Sequence, residues 1–188
     1  MRKVLLWVGL LSSILLWSGW SHAEQQPLVV IKTSLGDIWV QLYSEEAPKS
    51  VAHFLNYVDD GFYDGLIFHR VVPGFMIQGG GFTPDLRERA TLGSIENEAR
   101  HAPKNLRGTL ALARFSDPDS ADAQFFINVS DNPHLDYRPG KPGYTVFGHV
   151  IQGMSVVKAI EVVDTGKQGD LEDVPLSPII IESIRRSQ

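Results

Sequence analysis

The sequence predicts a mainly β protein whose strands close into an antiparallel barrel, with two α-helices. Three observations support this fold class. From about residue 65 to residue 150, short apolar runs alternate with clusters of Gly, Pro, Asn and Asp, which is typical of consecutive short strands. Only two segments have the spacing of an amphipathic helix. The final apolar run, Ile179–Ile184, can pair with the first strand, and a sheet closed in this way has no exposed edges.

The first predicted elements are a β-hairpin and a helix. Two β-rich runs, Leu28–Thr33 and Asp37–Tyr43, flank Ser34-Leu35-Gly36, which predicts a turn between paired strands. Apolar residues at helical spacing follow Pro48, which is favoured in a first helical turn, and Gly61 ends the pattern. We expect this helix to cover one end of the sheet.

The second helix is predicted from Met154 to Val163, after Gly153 and before Gly166. The sequence contains no internal repeat and no low-complexity segment. A chain of 188 residues buries roughly two-thirds of its unfolded surface in one core. We therefore expect a single domain over residues 24–188.

The first 23 residues have the pattern of a cleaved secretory signal peptide. Arg2 and Lys3 precede an apolar run over residues 4–17, and Ser21 and Ala23 are the small residues that a signal peptidase reads. The alternative is an uncleaved membrane anchor, but the run is shorter than the ~20 apolar residues that span a bilayer. We expect cleavage after Ala23, export to the periplasm, and no stable membrane association afterwards.

The expected mature chain is acidic. Removal of residues 1–23 takes away two basic residues and no acidic residue, which leaves 15 Lys and Arg against 22 Asp and Glu, a formal charge of −7. Such a chain is poorly suited to nucleic acid, whose phosphates attract basic patches. The sequence contains no Cys, which is compatible with an oxidising compartment and excludes a lipid attached through an N-terminal Cys.

The most informative segment is Phe68–Thr83, which sets one arginine and one glutamine among aromatic and thioether side chains. This segment contains no Ser, Cys or Lys, so it lacks the usual nucleophiles of covalent catalysis. Together with Gly108–Arg114, Gln124–Asn128 and Val146–Gly148, this segment resembles the signature of the cyclophilin-type peptidyl-prolyl isomerases, and the bacterial periplasmic cyclophilins in particular. The resemblance implies a closed eight-stranded antiparallel barrel capped by two α-helices.

The reaction that this resemblance implies breaks no covalent bond. Rotation about an X-Pro peptide bond is slow because the C–N bond has partial double-bond character, with a barrier of ~18–20 kcal/mol. A cation aimed at the proline nitrogen binds the twisted amide better than either planar form. By motif position Arg70 supplies this cation, and its guanidinium stays charged at any working pH. The resemblance implies neither a cofactor nor a metal.

The resemblance also assigns the substrate-binding residues. Gln78 would orient Arg70, and Gln124 would flank the substrate backbone. Ala113 and Arg114 would face the residue that precedes proline. The apolar pocket for the proline ring would be lined by Phe75, Met76, Phe126 and Leu135.

Three residues depart from the pattern of well-known relatives. His134 stands where eukaryotic cyclophilins have Trp, and Tyr144 stands where they have His. Arg114 replaces the Asn of many relatives and would favour substrates with acidic flanking residues. The far wall of the pocket, formed by His134 and Tyr144, should be smaller and more polar, so we expect only weak cyclosporin binding.

We therefore expect a monomeric isomerase that acts on proline-containing, unfolded or partly folded polypeptides during the folding of exported proteins. The alternative is a binding module or holdase that holds proline-containing segments, with catalysis incidental. Other chemistries are weakly supported. Gly79-Gly80-Gly81 lacks the Lys-Ser/Thr of a phosphate loop, and the histidines show no paired metal-ligand spacing.

Overall fold

The computed structural model describes residues 26–187. Within them, ten strands, two α-helices and one short 3-10 helix follow one another along the chain. In chain order the elements are β1 (Leu28–Thr33), β2 (Gly36–Leu42), α1 (Pro48–Asp59), β3 (Leu66–Val72), β4 (Met76–Phe82), β5 (Thr109–Leu112), β6 (Phe125–Asn128), the 3-10 helix (Pro133–Leu135), β7 (Val146–Gln152), α2 (Met154–Glu161), β8 (Thr165–Gln168), β9 (Leu171–Pro175) and β10 (Ile179–Ser187).

Eight of these strands form a closed antiparallel barrel, which confirms the predicted fold class. Around the barrel the order is β1, β10, β3, β4, β6, β5, β7 and β2. Leu28 of β1 is opposite both Ser187 of β10 and Gln41 of β2, so the last strand pairs with the first. Thr33 and Gly36 pair across the expected turn.

The barrel interior is filled by alternate residues of the strands and by one face of each helix. Ile31 and Ile38, which pair across β1 and β2, are fully buried, as the two-residue period of a strand requires. Helix α1 contributes Phe54, whose ring centroid lies 5.7 Å from that of Phe125 and 5.0 Å from that of Phe147. These rings anchor α1 on the barrel.

Helix α2 ends at Glu161, two residues before its predicted end. Val162 has already left helical geometry, with φ −103° and ψ 9°. Val157 and Ile160 are buried in the same core as the strands, so the predicted apolar face packs as expected. Within residues 26–187, neither helix is long and apolar enough to cross a membrane.

Helix α1 receives its N-terminal cap from a distant loop. The residue before the helix, Ala47, makes no capping bond with its side chain. Instead the Glu98 carboxylate accepts hydrogen bonds from the backbone N–H groups of Lys49 (3.1 Å) and Ser50 (2.7 Å) and from the Ser50 hydroxyl (2.7 Å). A carboxylate there satisfies free N–H groups and interacts favourably with the helix dipole.

We expect Glu98→Ala to lower the free energy of unfolding by about 1–2 kcal/mol, the usual contribution of an N-terminal cap. Glu96→Ala is the matched control, because Glu96 pairs with the exposed Lys49 ammonium and exposed pairs contribute little. Urea denaturation of both variants measures the difference. Equal and small effects would show that the Glu98 cap does not stabilise the helix.

The sequence pattern does not predict one element, the hairpin of β8 and β9. This hairpin forms a separate two-stranded sheet outside the barrel and packs against β3. Its strands are short, contain charged residues and glycine, and lack clear apolar alternation, so periodicity carries no strand signal there. The hairpin matters because it brings Asp173 beside Arg70 of β3.

Candidate active site

A second, smaller apolar cluster lies on the outer face of the barrel strands. In β4, Met76 precedes the core residue Ile77, and in β6, Phe126 follows the core residue Phe125. Because successive side chains of a strand point to opposite faces, Met76 and Phe126 face away from the barrel interior. The cluster consists of buried Met76, Ala111, Phe126 and Val146 with partly buried Tyr43, Val72, Phe75, Ala113, Leu135 and Tyr144 around them. It includes six of the residues that sequence analysis assigns to substrate binding.

Strand register places Arg70 beside this outer cluster. Arg70 is opposite Gln78 on β4, and Gln78 is opposite Phe126 on β6. Phe126 is opposite Ala111 on β5, which is opposite Val146 on β7. Directly opposed residues share one face of a sheet, so a single row leads from a cation through an amide to an apolar surface. The Arg70 side chain is 41% exposed, which leaves it accessible to a ligand.

The two glutamines of the site are bonded to each other. The Gln78 amide donates from Nε2 to Oε1 of Gln124 over 3.1 Å. Gln124 in turn lies directly over Gly81, where an added Cβ would come within 2.6 Å of the Gln124 side chain. Glycine at 81 is therefore required for this position of Gln124, a role that the sequence analysis does not assign.

Arg70 has a different neighbour from the one expected. Gln78 lies opposite Arg70 in the ladder, but its amide is directed to Gln124 rather than to the guanidinium. The ion-pair partner of Arg70 is Asp173 of β9, with 3.6 Å between Nε and Oδ2. No sequence signal pointed to Asp173, because it belongs to the hairpin that lacks periodicity.

Aromatic contacts build the far wall of the outer cluster. The exposed ring of His134 stacks on Phe75, with 5.4 Å between centroids and 27° between planes. Tyr144 meets Phe126 edge-on at 5.7 Å, and its backbone N–H donates to the Leu135 carbonyl over 2.9 Å. The 3-10 helix thus holds His134 against Phe75, which precedes β4, and Leu135 against Tyr144 in the segment before β7.

Arg114 is held against the protein rather than free at the rim. Its Nε donates to the Gly143 carbonyl (2.9 Å) and its Nη1 to the Phe115 carbonyl (2.8 Å). The guanidinium carbon lies 4.4 Å from the centroid of the Tyr144 ring, a cation–π distance. Arg114 therefore supports the wall residue Tyr144, and its charge is less available to a substrate than its sequence position implies.

The family follows from comparison with known proteins. The model of the cyclophilin type peptidyl-prolyl cis-trans isomerase/CLD family matches residues 28–186. The chain belongs to this family. Over 184 residues it is 45% identical to peptidyl-prolyl cis-trans isomerase A of Dickeya dadantii, with 98% of this chain and 97% of the relative covered. Over 164 residues it is 48% identical to peptidyl-prolyl cis-trans isomerase B of Escherichia coli, with 86% and 100% covered.

Solved structures agree with this assignment. A cyclophilin type isomerase from Cryptosporidium parvum, crystallised in the presence of the dipeptide Ala-Pro, superposes with a TM-score of 0.70 at 29% identity and covers 86% of this chain and 99% of its own. This chain is accordingly a cyclophilin with peptidyl-prolyl cis-trans isomerase activity. Among residues 26–187, no three His, Asp or Glu side chains are grouped closely enough to hold a metal ion.

His69 precedes Arg70 in this cyclophilin and is an uncharged, buried residue at neutral pH. Its side chain packs on the Phe82 ring, with 4.6 Å between centroids, and Nδ1 is buried without a hydrogen-bond partner in the described part of the chain. Burial, together with the positive charge of Arg70, lowers the pKa of His69 from 6.5 to about 4. The Arg70 guanidinium therefore lies beside a neutral imidazole.

Acidification should destabilise this cyclophilin through His69. The unfolded chain takes up the proton near pH 6.5, whereas the folded chain does so only near pH 4. The free energy of unfolding therefore falls as pH drops from about 6.5 to about 4, by roughly 2–3 kcal/mol for this group. Urea denaturation between pH 7 and 4.5 should show a shallower pH dependence for His69→Phe than for the exposed control His101→Phe. Equal pH dependence in both variants would contradict this assignment.

Proposed function

We propose that this cyclophilin accelerates cis/trans isomerisation of X-Pro bonds during the folding of exported proteins, with Arg70 as its catalytic residue. The observation that carries the proposal is the paired row that leads from Arg70 through Gln78 to Phe126. This row sets an accessible cation beside an apolar surface on one rigid sheet. A twisted prolyl amide needs both of these features.

The apolar cluster serves to hold the proline ring. Met76 and Phe126 are nearly fully buried and give the surface a fixed shape, while Phe75 and Leu135 form its more exposed border. A proline ring placed there loses contact with water, which strengthens electrostatic interactions with its amide. The Cryptosporidium parvum relative crystallised with Ala-Pro supports a proline-containing ligand.

Arg70 would favour the twisted amide over the planar one. In the planar form the proline nitrogen shares its electron pair with the carbonyl, and rotation localises that pair on nitrogen. The guanidinium then donates to a nitrogen that has become a better acceptor, so the interaction is stronger at the top of the barrier than in either isomer. No nucleophile or proton transfer is required.

Binding of the substrate backbone would use the segment that follows β5, at Ala113 and Arg114. The Ala113 N–H already donates to the Gln124 carbonyl over 2.9 Å, so the substrate must pair with other groups of this segment. A cavity of about 50 Å³ lies here, bordered in part by Ala113, Arg114 and Ser120. Gln78 and Gln124 also border this cavity. Its size suits a small side chain of the substrate.

The export part of the proposal depends on residues 1–23, which lie outside the described residues. Their basic start, apolar run and small residues before position 24 are typical of a cleaved signal peptide. The alignment with the Dickeya dadantii relative covers 98% of this chain and so extends into this segment. We place the mature enzyme, residues 24–188, in the periplasm. The whole row lies on one chain, so the proposed site needs no second subunit, and we propose that the enzyme acts there as a monomer.

Two measurements test the proposal. Intact mass of protein from the periplasmic fraction should give a chain that begins at Glu24, and membrane-bound protein that retains Met1 would contradict export.

Refolding of a protein whose folding is limited by isomerisation of a slow X-Pro bond should be accelerated by the wild type and not by Arg70→Ala. If both proteins improved the refolding yield equally without changing the rate, the alternative of a holdase would replace catalysis.

A further inference from the structure

The hairpin of β8 and β9 reaches from outside the barrel to the catalytic side of β3. It contributes Asp173, whose Oδ2 lies 3.6 Å from Nε of Arg70. Among residues 26–187, no other carboxylate pairs with Arg70. The two side chains are 41% and 44% exposed, so the pair lies at the border of the site, where substrate and solvent both reach it.

The backbone of Asp173 is held in an uncommon conformation. Its φ is +58°, a left-handed value that is unfavourable for residues other than Gly, Asn and Asp. The next residue, Val174, is buried and pairs with Gly166 of β8 within the hairpin, and β9 packs against β3 of the barrel. Asp is one of the few residue types that adopt this conformation readily, so the residue type at position 173 fits the backbone of the hairpin.

The ion pair uses one edge of the guanidinium. Asp173 lies nearest to Nε of Arg70, where the aliphatic part of the side chain joins the guanidinium. The terminal amino groups Nη1 and Nη2 therefore remain available to a ligand. A carboxylate at this edge restricts rotation of a long, flexible side chain without covering the donors that a prolyl amide needs. The neighbouring Gln78 does not supply this restraint, since its amide is bonded to Gln124.

We propose that Asp173 is a positioning residue that holds the Arg70 guanidinium in the orientation required for the transition state. This role rests on the proposed function of Arg70. Asp173 is not part of the outer apolar cluster, so its removal should leave proline binding intact. Loss of orientation should appear in kcat, because a catalytic group that is less well placed stabilises the transition state less.

The test compares Asp173→Asn with Glu172→Gln. Asparagine keeps the size of the side chain and tolerates the left-handed backbone, so the substitution removes the charge alone. Glu172 is the matched control, because it is adjacent, belongs to the same hairpin and pairs with Lys167 at 2.8 Å rather than with Arg70. We expect Asp173→Asn to lower kcat by roughly 3- to 10-fold with KM and Tm unchanged. Glu172→Gln should match the wild type.

Two further readouts separate positioning from a general structural effect. Salt screens half-exposed ion pairs, so the wild-type kcat should fall toward that of Asp173→Asn as NaCl rises, while the variant should change little. The Arg70 side-chain Nε–H resonance, assigned by its loss in Arg70→Lys, should shift in Asp173→Asn and stay in place in Glu172→Gln. This NMR measurement does not depend on turnover.

The outcomes distinguish this inference from the proposed function. An active wild type together with an unchanged kcat in Asp173→Asn would overturn the positioning role alone. The same loss in Glu172→Gln, or a rise in KM with a lower Tm, would also overturn it, since the hairpin would then act through its charge or its folding. A wild type without isomerase activity would overturn the proposed function itself.

Discussion

Replacement of Arg70 by alanine is expected to lower kcat/KM by roughly 10²–10³-fold, which corresponds to about 3–4 kcal/mol of transition-state stabilisation. The loss is large because this guanidinium is the cation that the paired row presents beside the apolar cluster. The fold should remain intact, because the side chain is 41% exposed and contributes little to core packing. Isomerase kinetics, circular dichroism and Tm on the same preparation measure both effects.

Two further variants sharpen this test. Arg70→Lys keeps the charge but loses the planar set of donors, so its activity should lie between those of the wild type and Arg70→Ala. Arg89→Ala is the control for a structural arginine, because Arg89 donates to the carbonyls of Phe62 and Asp64. It should lower Tm and leave kcat/KM close to the wild-type value. Activity of Arg70→Ala within threefold of the wild type would remove Arg70 from the mechanism and favour the binding-module alternative.

The barrel could be predicted from the sequence because its strands carry strong local patterns. Ile31 and Ile38 belong to runs whose alternation directly gives the buried face. Closure also follows from the chain ends, since the last apolar run needs a partner and the first strand offers a free edge. The positions of Arg70 and Phe126 come instead from the family resemblance, and the register of three strands then explains why they adjoin.

Contacts that depend on tertiary structure could not be predicted. Arg114 reads in the sequence as a free charge, but its position is set by the Gly143 carbonyl and the Tyr144 ring from a segment about 30 residues away. Asp173 lies in a hairpin without apolar alternation. Neither residue carries a local signal, because both are defined by the partner that the fold brings to them.

A buried network of asparagines next to the outer apolar cluster is a further example. Asn128, fully buried at the end of β6, donates to the Thr109 hydroxyl over 2.9 Å and to the Asn105 side chain over 3.2 Å. The Asn132 side-chain amide donates to Oδ1 of Asn128 (2.7 Å) and to the backbone carbonyl of Phe75 (2.9 Å). Buried amides of this kind are tolerated because they are hydrogen-bonded. The chain of hydrogen bonds ends at the backbone carbonyl of Phe75 and so holds the backbone of this residue in place.

The other large effect is expected with cyclosporin, which we predict to bind this enzyme weakly. The family resemblance places His134 where eukaryotic relatives carry Trp, and the His134 ring stacks on Phe75 at the exposed border of the outer apolar cluster. An imidazole covers less apolar area than an indole and cannot supply the indole N–H in the same place. A loss of ~1.5–3 kcal/mol of contact would weaken binding by roughly 10- to 150-fold.

His134→Trp should therefore strengthen cyclosporin inhibition by roughly 10- to 150-fold and change kcat/KM for a prolyl peptide only modestly. Turnover should change less because the buried residues Met76 and Phe126, which shape the pocket, are untouched. The exposed side of the 3-10 helix offers space for the larger ring. His134→Phe separates the two contributions, since it adds apolar area without an N–H donor. Nanomolar inhibition of the wild type, or no change in inhibition on His134→Trp, would show that His134 does not form part of the drug-binding wall.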